Sequence, residues 1–182
     1  MKKALVLLAL ALALPAVAHA QDAAAPPADP GVGAARTTWQ IMTRYVTMAA
    51  EELSEADYAY KPVDSVRSFG QLVGHVAGAQ YMFCAAALGE APRAENEVES
   101  TATTKAALVA ALKASTEYCG RAYQQTDAAA AGSTQLFGGN VTRMFALVLN
   151  ASHNGEHYGN IVTYMRMKGM VPPSSRQQGG GN

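Results

Sequence analysis

The chain has little charge and few residues of the types that carry out most protein chemistry. Charged residues make up 15% of its 182 residues, and the 14 basic side chains balance the 14 acidic ones. There are only two cysteines, four histidines and one tryptophan. Without a basic excess there is no electrostatic basis for binding nucleic acid or an anionic membrane. A C-x-x-C motif is absent, which argues against the redox chemistry that such motifs carry.

Long apolar runs are missing after the first twenty residues. Those twenty contain two lysines at the start, an apolar run over residues 4–14 and a small-x-small cleavage signal that ends at Ala20. This order is typical of a secretory signal peptide, and the run is too short for a comfortable membrane span. We therefore predict a signal peptide over residues 1–20 and a periplasmic or secreted protein. No membrane segment is expected after cleavage.

Alternation of apolar and polar residues, which marks a half-buried strand, is also absent from the sequence. Apolar residues instead recur at helical spacing in four segments. We predict helices over about residues 37–53, 69–88, 103–124 and 141–168, which makes the fold class all-α, most simply a four-helix bundle. Ser68 and Gln71 predict a capping box, Asn140 is the expected N-cap of the last helix, and Gly169 ends that helix.

Regions at both ends of the mature chain have few side chains that could form a core. Residues 21–36 are rich in alanine and proline, and residues 176–182 are polar and rich in glycine. We predict that the first is a disordered leader and the second a disordered tail. One domain, residues 37–175, lies between them and is long enough for a single core.

The two cysteines bear on the bundle topology. About fourteen residues separate the second and third helices, enough to return along a helix of about 30 Å, so a parallel pair is allowed but not required. In a parallel pair Cys84 and Cys119 would lie at the same height, because Cys84 lies sixteen residues after Ser68 and Cys119 sixteen after Thr103. An oxidising compartment permits a disulfide, and two buried thiols are the alternative.

A histidine pair stands in the last helical segment. His153 and His157 are four residues apart, so they share one helix face and can bind the same metal ion. Ser152, Asn154 and Gly155 are poor helix formers at neighbouring positions. Because local rules are most often broken where function demands it, the pair indicates a metal site.

The third ligand has few sources. The His-x-x-Glu-His spacing is that of inverted zinc peptidases, with Glu156 as the general base. No Asp, Glu, His or Cys follows Tyr158, so no downstream ligand exists and we reject the peptidase interpretation. His19 leaves with the signal peptide, and His75 in the second helix is the remaining imidazole. Since bundle cores pool ligands from facing helices, we predict a three-histidine site with open coordination positions.

Each candidate residue also has a simpler interpretation. A single buried histidine such as His75 is most often a core residue, and histidine pairs at this spacing occur on exposed faces. Glu156 is either a general base or water partner, or a solvated surface carboxylate. Asn160 either orients the imidazole of His157 or is solvated. The metal site is favoured because every histidine of the mature chain lies in these two segments.

These motifs resemble the DinB-like superfamily of bacterial four-helix bundles, which includes bacillithiol- and mycothiol-dependent transferases. The matching runs are Arg67-Ser-Phe-Gly-Gln-Leu-Val-Gly-His75-Val-Ala, His153-Asn-Gly-Glu-His157-Tyr-Gly-Asn160 and Tyr164-Met-Arg-Met-Lys-Gly169-Met-Val-Pro-Pro-Ser. The resemblance covers nearly the whole mature domain. It implies an up-down-down-up topology with a long crossover between helices two and three. It also implies a divalent metal, commonly zinc or nickel, bound by His75, His153 and His157.

Two kinds of function fit these observations. The first is a metal-dependent transferase or hydrolase acting on a small molecule, in which the metal acts as a Lewis acid or lowers the pKa of a bound water or thiol. The second is a non-catalytic metal-binding or stress-related exported protein, and a third is a bundle that has lost its metal. A pocket opening onto a free coordination position favours an enzyme, whereas a closed fourth ligand favours the second. Export sets the chain apart from the cytoplasmic thiol transferases of the family, whose members often form homodimers.

Overall fold

Four long helices account for most of the structure, a computed structural model that describes residues 28–176. The long helices are α1 (Pro30–Glu52), α2 (Phe69–Leu88), α4 (Lys105–Ala122) and α6 (Arg143–Met167). The shorter elements are α3 (Glu97–Thr101), α5 (Asp127–Ala130), β1 (Ser133–Leu136), β2 (Gly139–Thr142) and 3₁₀ turns at Glu55–Ala59 and Pro173–Ser175. The predicted all-α four-helix bundle is confirmed. Within the described residues, no helix combines the length and the apolar character needed to cross a membrane.

Contacts between the long helices define their directions. On α2 and α4, Gln80 bonds to Ser115 and Cys84 to Cys119, each pair 35 residues apart, so these helices run parallel. The helices α2 and α6 run antiparallel, because the start of α2 meets the end of α6 where the Tyr164 hydroxyl donates to the Arg67 carbonyl. The helices α1 and α6 run parallel to each other. The order is up-down-down-up, and a long crossover connects α2 to α4.

A disulfide joins the parallel helices. Cys84 and Cys119 are bonded, with their Cα atoms 5.3 Å apart, so the sequence alternative of two buried thiols is not the one observed. The buried amide of Asn150 on α6 donates to Cys84 Sγ at 3.4 Å and to the Tyr123 hydroxyl at 3.1 Å. Three of the four long helices therefore meet at this point of the core.

The first helix starts seven residues earlier than predicted, so the leader prediction is wrong for residues 30–36. A long-range cap explains the difference. The Asp127 carboxylate accepts hydrogen bonds from the backbone N–H groups of Gly31 and Val32 at 2.9 and 2.7 Å. In return, the Asp29 carboxylate accepts from the Asp127 backbone N–H at 2.8 Å. The predicted signal peptide, residues 21–27 of the predicted leader and residues 177–182 of the predicted tail lie outside the described residues.

A short β-hairpin corrects two further predictions, the absence of strands and the cap at Asn140. Strands β1 and β2 pair antiparallel with Gln135 opposite Asn140, so Asn140 belongs to a strand. The N-cap of α6 is Thr142, whose hydroxyl accepts from the Phe145 N–H at 3.1 Å. Two four-residue strands, largely exposed, are too short to show the alternation that a sequence pattern needs.

The ends of α2 agree with the sequence. The Ser68 side chain accepts from the Gln71 N–H, and the Gln71 side chain accepts from the Ser68 N–H at 2.8 Å, which completes the predicted capping box. Gly89 ends the helix in the left-handed conformation, at φ 72°. Gly169, with the same φ, follows α6 as predicted. These caps and the disulfide hold both ends of α2 in place.

The long-range cap gives a test of the fold. Asp127→Ala removes the acceptor for two N–H groups at the positive end of α1, so the free energy of unfolding should fall by about 1–2 kcal/mol. Urea denaturation followed by circular dichroism measures the change. Asp64→Ala, at a fully exposed side chain, is the matched control and should have little effect. Equal stability of the two variants would contradict the assignment of Asp127 as a cap.

Candidate metal centre

The three histidines predicted from the sequence come together between two antiparallel helices. His75 projects from α2, and His153 and His157 project from successive turns of α6. The Nε2 atom of His153 lies 3.2 Å from Nε2 of His75 and 3.0 Å from Nε2 of His157. One nitrogen atom from each ring therefore points to a common position, as a shared ligand would require.

Burial keeps the three rings neutral. His75 and His157 are 6% and 8% exposed, and His153 is only slightly more open. Loss of solvent is the main cause that lowers the pKa of His75 to about 4 and that of His153 to about 3. Burial also lowers the pKa of His157, and the Arg67 guanidinium acts in the same direction on all three. Near neutral pH the rings are therefore unprotonated and able to donate lone pairs.

The Nδ1 atom of each ring points away from the common position. The surroundings of Nδ1 in His75 and His157 favour a proton on that atom, which leaves Nε2 free to bind a metal. Nδ1 of His75 faces the Glu99 carboxylate at 3.7 Å, which is too long for a hydrogen bond, but the nearby negative charge favours the tautomer with Nδ1–H and a free Nε2 lone pair. Nδ1 of His157 lies 3.3 Å from the side-chain amide of Asn160, the contact that the sequence suggested. Rotation of that amide presents its oxygen to Nδ1–H. Nδ1 of His153 is buried and has no partner among the described residues.

Glu156, the predicted general base, is not brought to the site. Its side chain is exposed on α6, although it is flanked in sequence by two of the histidines. We call His75, His153 and His157 the triad. In the part of the chain that the structure describes, the carboxylates within 4 Å of a triad nitrogen atom belong to Glu95 and Glu99. Both lie in the crossover segment, so the acidic groups of the site come from a part of the chain that sequence reasoning did not assign to it.

Two glycines of α2 explain how the crossover comes so close. A Cβ atom at Gly78 would lie 1.9 Å from the Glu95 carbonyl oxygen, and one at Gly74 would lie 2.9 Å from the Cα atom of Glu99. Any larger residue at these positions would push the crossover away from the histidines. The signal in the sequence was the pair of glycines one turn apart in the second helix, on either side of His75 in the chain.

A cleft of about 670 Å³ reaches the site from the side of His157. His157, Asn160 and Glu99 line it, as do Lys61 and Arg67. The Arg67 guanidinium donates to both oxygen atoms of Glu99 at 3.1 Å, which fixes that carboxylate beside His75. The cleft is thus polar where it meets the triad, and its size suits a small molecule.

The donor set fits a divalent transition metal. Imidazole suits zinc, nickel, iron and copper, and ligand atoms about 2.0–2.1 Å from a tetrahedral zinc ion lie about 3.3 Å apart. The two Nε2 separations, 3.2 and 3.0 Å, are close to this value and are also within the range of hydrogen bonds between neutral rings. A cation at the common position would use the lone pairs of all three rings at once, whereas a hydrogen bond uses one lone pair of a pair of rings.

Comparison with known proteins agrees with this geometry. The DinB superfamily sequence profile matches residues 38–161, which include all three histidines. The chain belongs to the DinB superfamily. No curated protein has a significant match to its sequence.

Solved structures of other DinB proteins share the bundle. YjoA, a DinB-like protein from Bacillus subtilis, is 24% identical, covers 80% of this chain and 99% of its own, and superposes with a TM-score of 0.63. A DinB-like protein from Bacillus cereus, 16% identical, covers 78% and 95% with a TM-score of 0.65. YfiT from Bacillus subtilis, described as a probable metal-dependent hydrolase with an unusual four-helix bundle topology, is 17% identical over 77% and 89%, with a TM-score of 0.60. The TM-scores show that these proteins share the fold of this chain.

The lowered histidine pKa values predict how stability depends on pH. Between about pH 6.5 and 4 the unfolded chain binds protons that the folded, metal-free chain does not, so acidification through this range should destabilise the fold. His153→Gln should reduce the slope below pH 6 by up to about 1.4 kcal/mol per pH unit. Urea titrations of the metal-free protein at pH 7, 6 and 5 measure it.

Thr163→Ala is the matched control for this titration. It changes an exposed residue on the same helix that carries no titratable group, so it should leave the slope below pH 6 unchanged. A His153→Gln slope equal to that of the wild type would show that this ring is protonated in the folded state.

Proposed function

We propose that this DinB protein is a divalent-metal-dependent enzyme that acts on a small molecule, with His75, His153 and His157 as the metal ligands. The observation that carries the proposal is the convergence of the Nε2 atoms of these three histidines, one of which, His157, also lines a cleft of a size that suits a small molecule. A bound divalent metal would polarise a substrate oxygen or lower the pKa of a bound water or thiol. Three protein ligands leave at least one position for such a group.

The residues around the cleft suit binding and orientation of a polar substrate. Lys61 and Arg67 line it together with the carboxylates of Asp64 and Glu99, so positive and negative charges balance. The Asn160 amide lies near the ring of His157 and also lines the cleft, so it can contact a substrate. This lining favours a polar substrate and does not select the sign of its charge.

Hydrolysis is the reaction to test first, and transfer to a small-molecule acceptor the second. The description of YfiT as a probable metal-dependent hydrolase supports this order. Among the described residues, the carboxylates near the triad nitrogens are those of Glu95 and Glu99. A non-catalytic metal-binding protein is the alternative function, because a fourth protein ligand would take one of the coordination positions that a substrate could use.

We also propose export to the periplasm or the exterior. The N-terminal signal pattern supports it, as does the buried Cys84–Cys119 bridge, because structural disulfides persist mainly in oxidising compartments. Zinc and nickel are the metals that we expect at the site. Members of this family often form homodimers, so a homodimer is one oligomeric state to test, and we expect no binding to nucleic acid.

Metal content tests the central claim. The purified protein should carry close to one divalent ion per chain by elemental analysis, and His75→Ala or His153→Ala should abolish binding, since two imidazoles rarely hold a transition metal tightly. Glu156→Gln, at an exposed side chain, is the control and should keep the ion. Full occupancy in both histidine variants would refute the triad.

Enzymatic action needs a separate measurement. A panel of small carboxylic and phosphoric esters and amides should be cleaved by the metal-loaded protein and not by His153→Ala. If the protein holds metal and no member of the panel reacts in the presence or absence of low-molecular-weight thiols, the non-catalytic alternative is favoured.

Export has its own test. Expressed in a Gram-negative host, the protein should be released with the periplasmic fraction and begin at Gln21, and its intact mass should be about 2 Da below that of the reduced chain. A Cys84→Ser, Cys119→Ser double variant is the control for the mass difference. An uncleaved chain in the cytoplasm would contradict the localisation.

A further inference from the structure

The carboxylate of Glu95 lies beside two histidines of the triad, close to where a fourth ligand of a bound metal would lie. Its Oε1 atom is 3.8 Å from Nε2 of His75 and 3.9 Å from Nε2 of His153. Those are the inward nitrogen atoms, the same two that lie 3.2 Å from each other. Glu99 is different, since it faces the outward Nδ1 of His75. The two carboxylates of the crossover therefore have different relations to the site.

The distances from Glu95 are only slightly longer than those of coordination. Ligand atoms of a tetrahedral zinc ion lie about 3.3 Å apart. The Glu95 side chain is 39% exposed and its carboxylate has no hydrogen bond to a described residue, so rotation of its side-chain torsions can move Oε1 by the small distance required. Its backbone is held in contact with Gly78, so the movement needs no change in the crossover.

Glu95 approaches from a different side than the cleft. The cleft reaches His157, Asn160 and Glu99, whereas Glu95 contacts the two other histidines. A carboxylate ligand at this place therefore leaves the cleft side of the ion open. A five- or six-coordinate ion could then bind three imidazoles, one carboxylate and a substrate oxygen at the same time.

We propose that Glu95 coordinates the metal directly, so that the site is a three-histidine, one-glutamate centre. This inference rests on the metal-binding triad of the proposed function. The added carboxylate lowers the net charge of a divalent centre from +2 to +1. It also favours ions that accept mixed nitrogen and oxygen ligands over those that prefer nitrogen alone.

The experiment compares three charge-neutralising variants of the crossover. Glu95→Gln removes the proposed ligand, Glu99→Gln removes the partner of an outward nitrogen, and Glu97→Gln is the matched control at an exposed residue of the same segment. Each protein is titrated with Co²⁺ in competition with a chelator of known affinity, and the visible spectrum of bound Co²⁺ reports its ligands. Circular dichroism of the metal-free proteins checks that each variant is folded.

The expected results separate a ligand from a supporting group. Glu95→Gln should weaken Co²⁺ binding by more than about 100-fold and change the spectrum, because loss of a ligand exceeds the effect of an outer partner. Glu99→Gln should weaken it by about 10–100-fold with little spectral change, and Glu97→Gln should match the wild type. In Glu95→Ala, added acetate should restore the wild-type spectrum, an effect that a purely structural role would not produce.

Two results would overturn the proposal in distinguishable ways. If the wild type and Glu97→Gln bind Co²⁺ through the histidines and Glu95→Gln gives the same spectrum, Glu95 is not a ligand, whatever its effect on affinity, and the triad stands. If the wild type itself binds no Co²⁺, the proposed metal site and the inference from it both fail.

Discussion

The antiparallel contact between α2 and α6 places one imidazole opposite two others in the core, and the rest of the site depends on this contact. Burial makes protonation of these rings unfavourable, so they remain neutral and each can offer one nitrogen lone pair to a cation. A divalent cation would satisfy all three nitrogen atoms at once. Burial and helix geometry therefore both favour a cation site at this point of the bundle.

The close approach of the crossover to α2 determines the polar chemistry around the triad. Gly74 and Gly78 leave no side chain between the two segments, and the backbone of the crossover fills the space. As a result, the two carboxylates face different nitrogen atoms of His75: Glu95 faces the inward Nε2, and Glu99 faces the outward Nδ1. The long connection between the parallel helices thus does more than reverse the chain direction, because it carries the acidic groups of the site.

Much of the bundle could be predicted from local patterns, and two of the misses share a physical cause. The capping box at Ser68, the glycine after α6 and the shared face of His153 and His157 follow from residues close in sequence or from one helical period, whereas His75 was predicted as the remaining imidazole of the mature chain. The early start of α1 could not be predicted this way, because its cap, Asp127, is nearly a hundred residues away. Glu95 was missed for the same reason: its role depends on a contact with Gly78 across the crossover, whereas Glu156 looked better placed in the sequence.

The structure also explains how the site can exist before any ion binds. The capping box holds one end of α2, the disulfide to α4 holds the other, and His75 lies between them. On α6, Asn150 contacts the disulfide one turn before His153, and Asn160 contacts His157 one turn after it. Because these supports are independent of a metal, the rings do not have to be ordered by coordination. The free energy of metal binding is then available for affinity and for the choice of ligand geometry, unlike in domains that fold only around their ion.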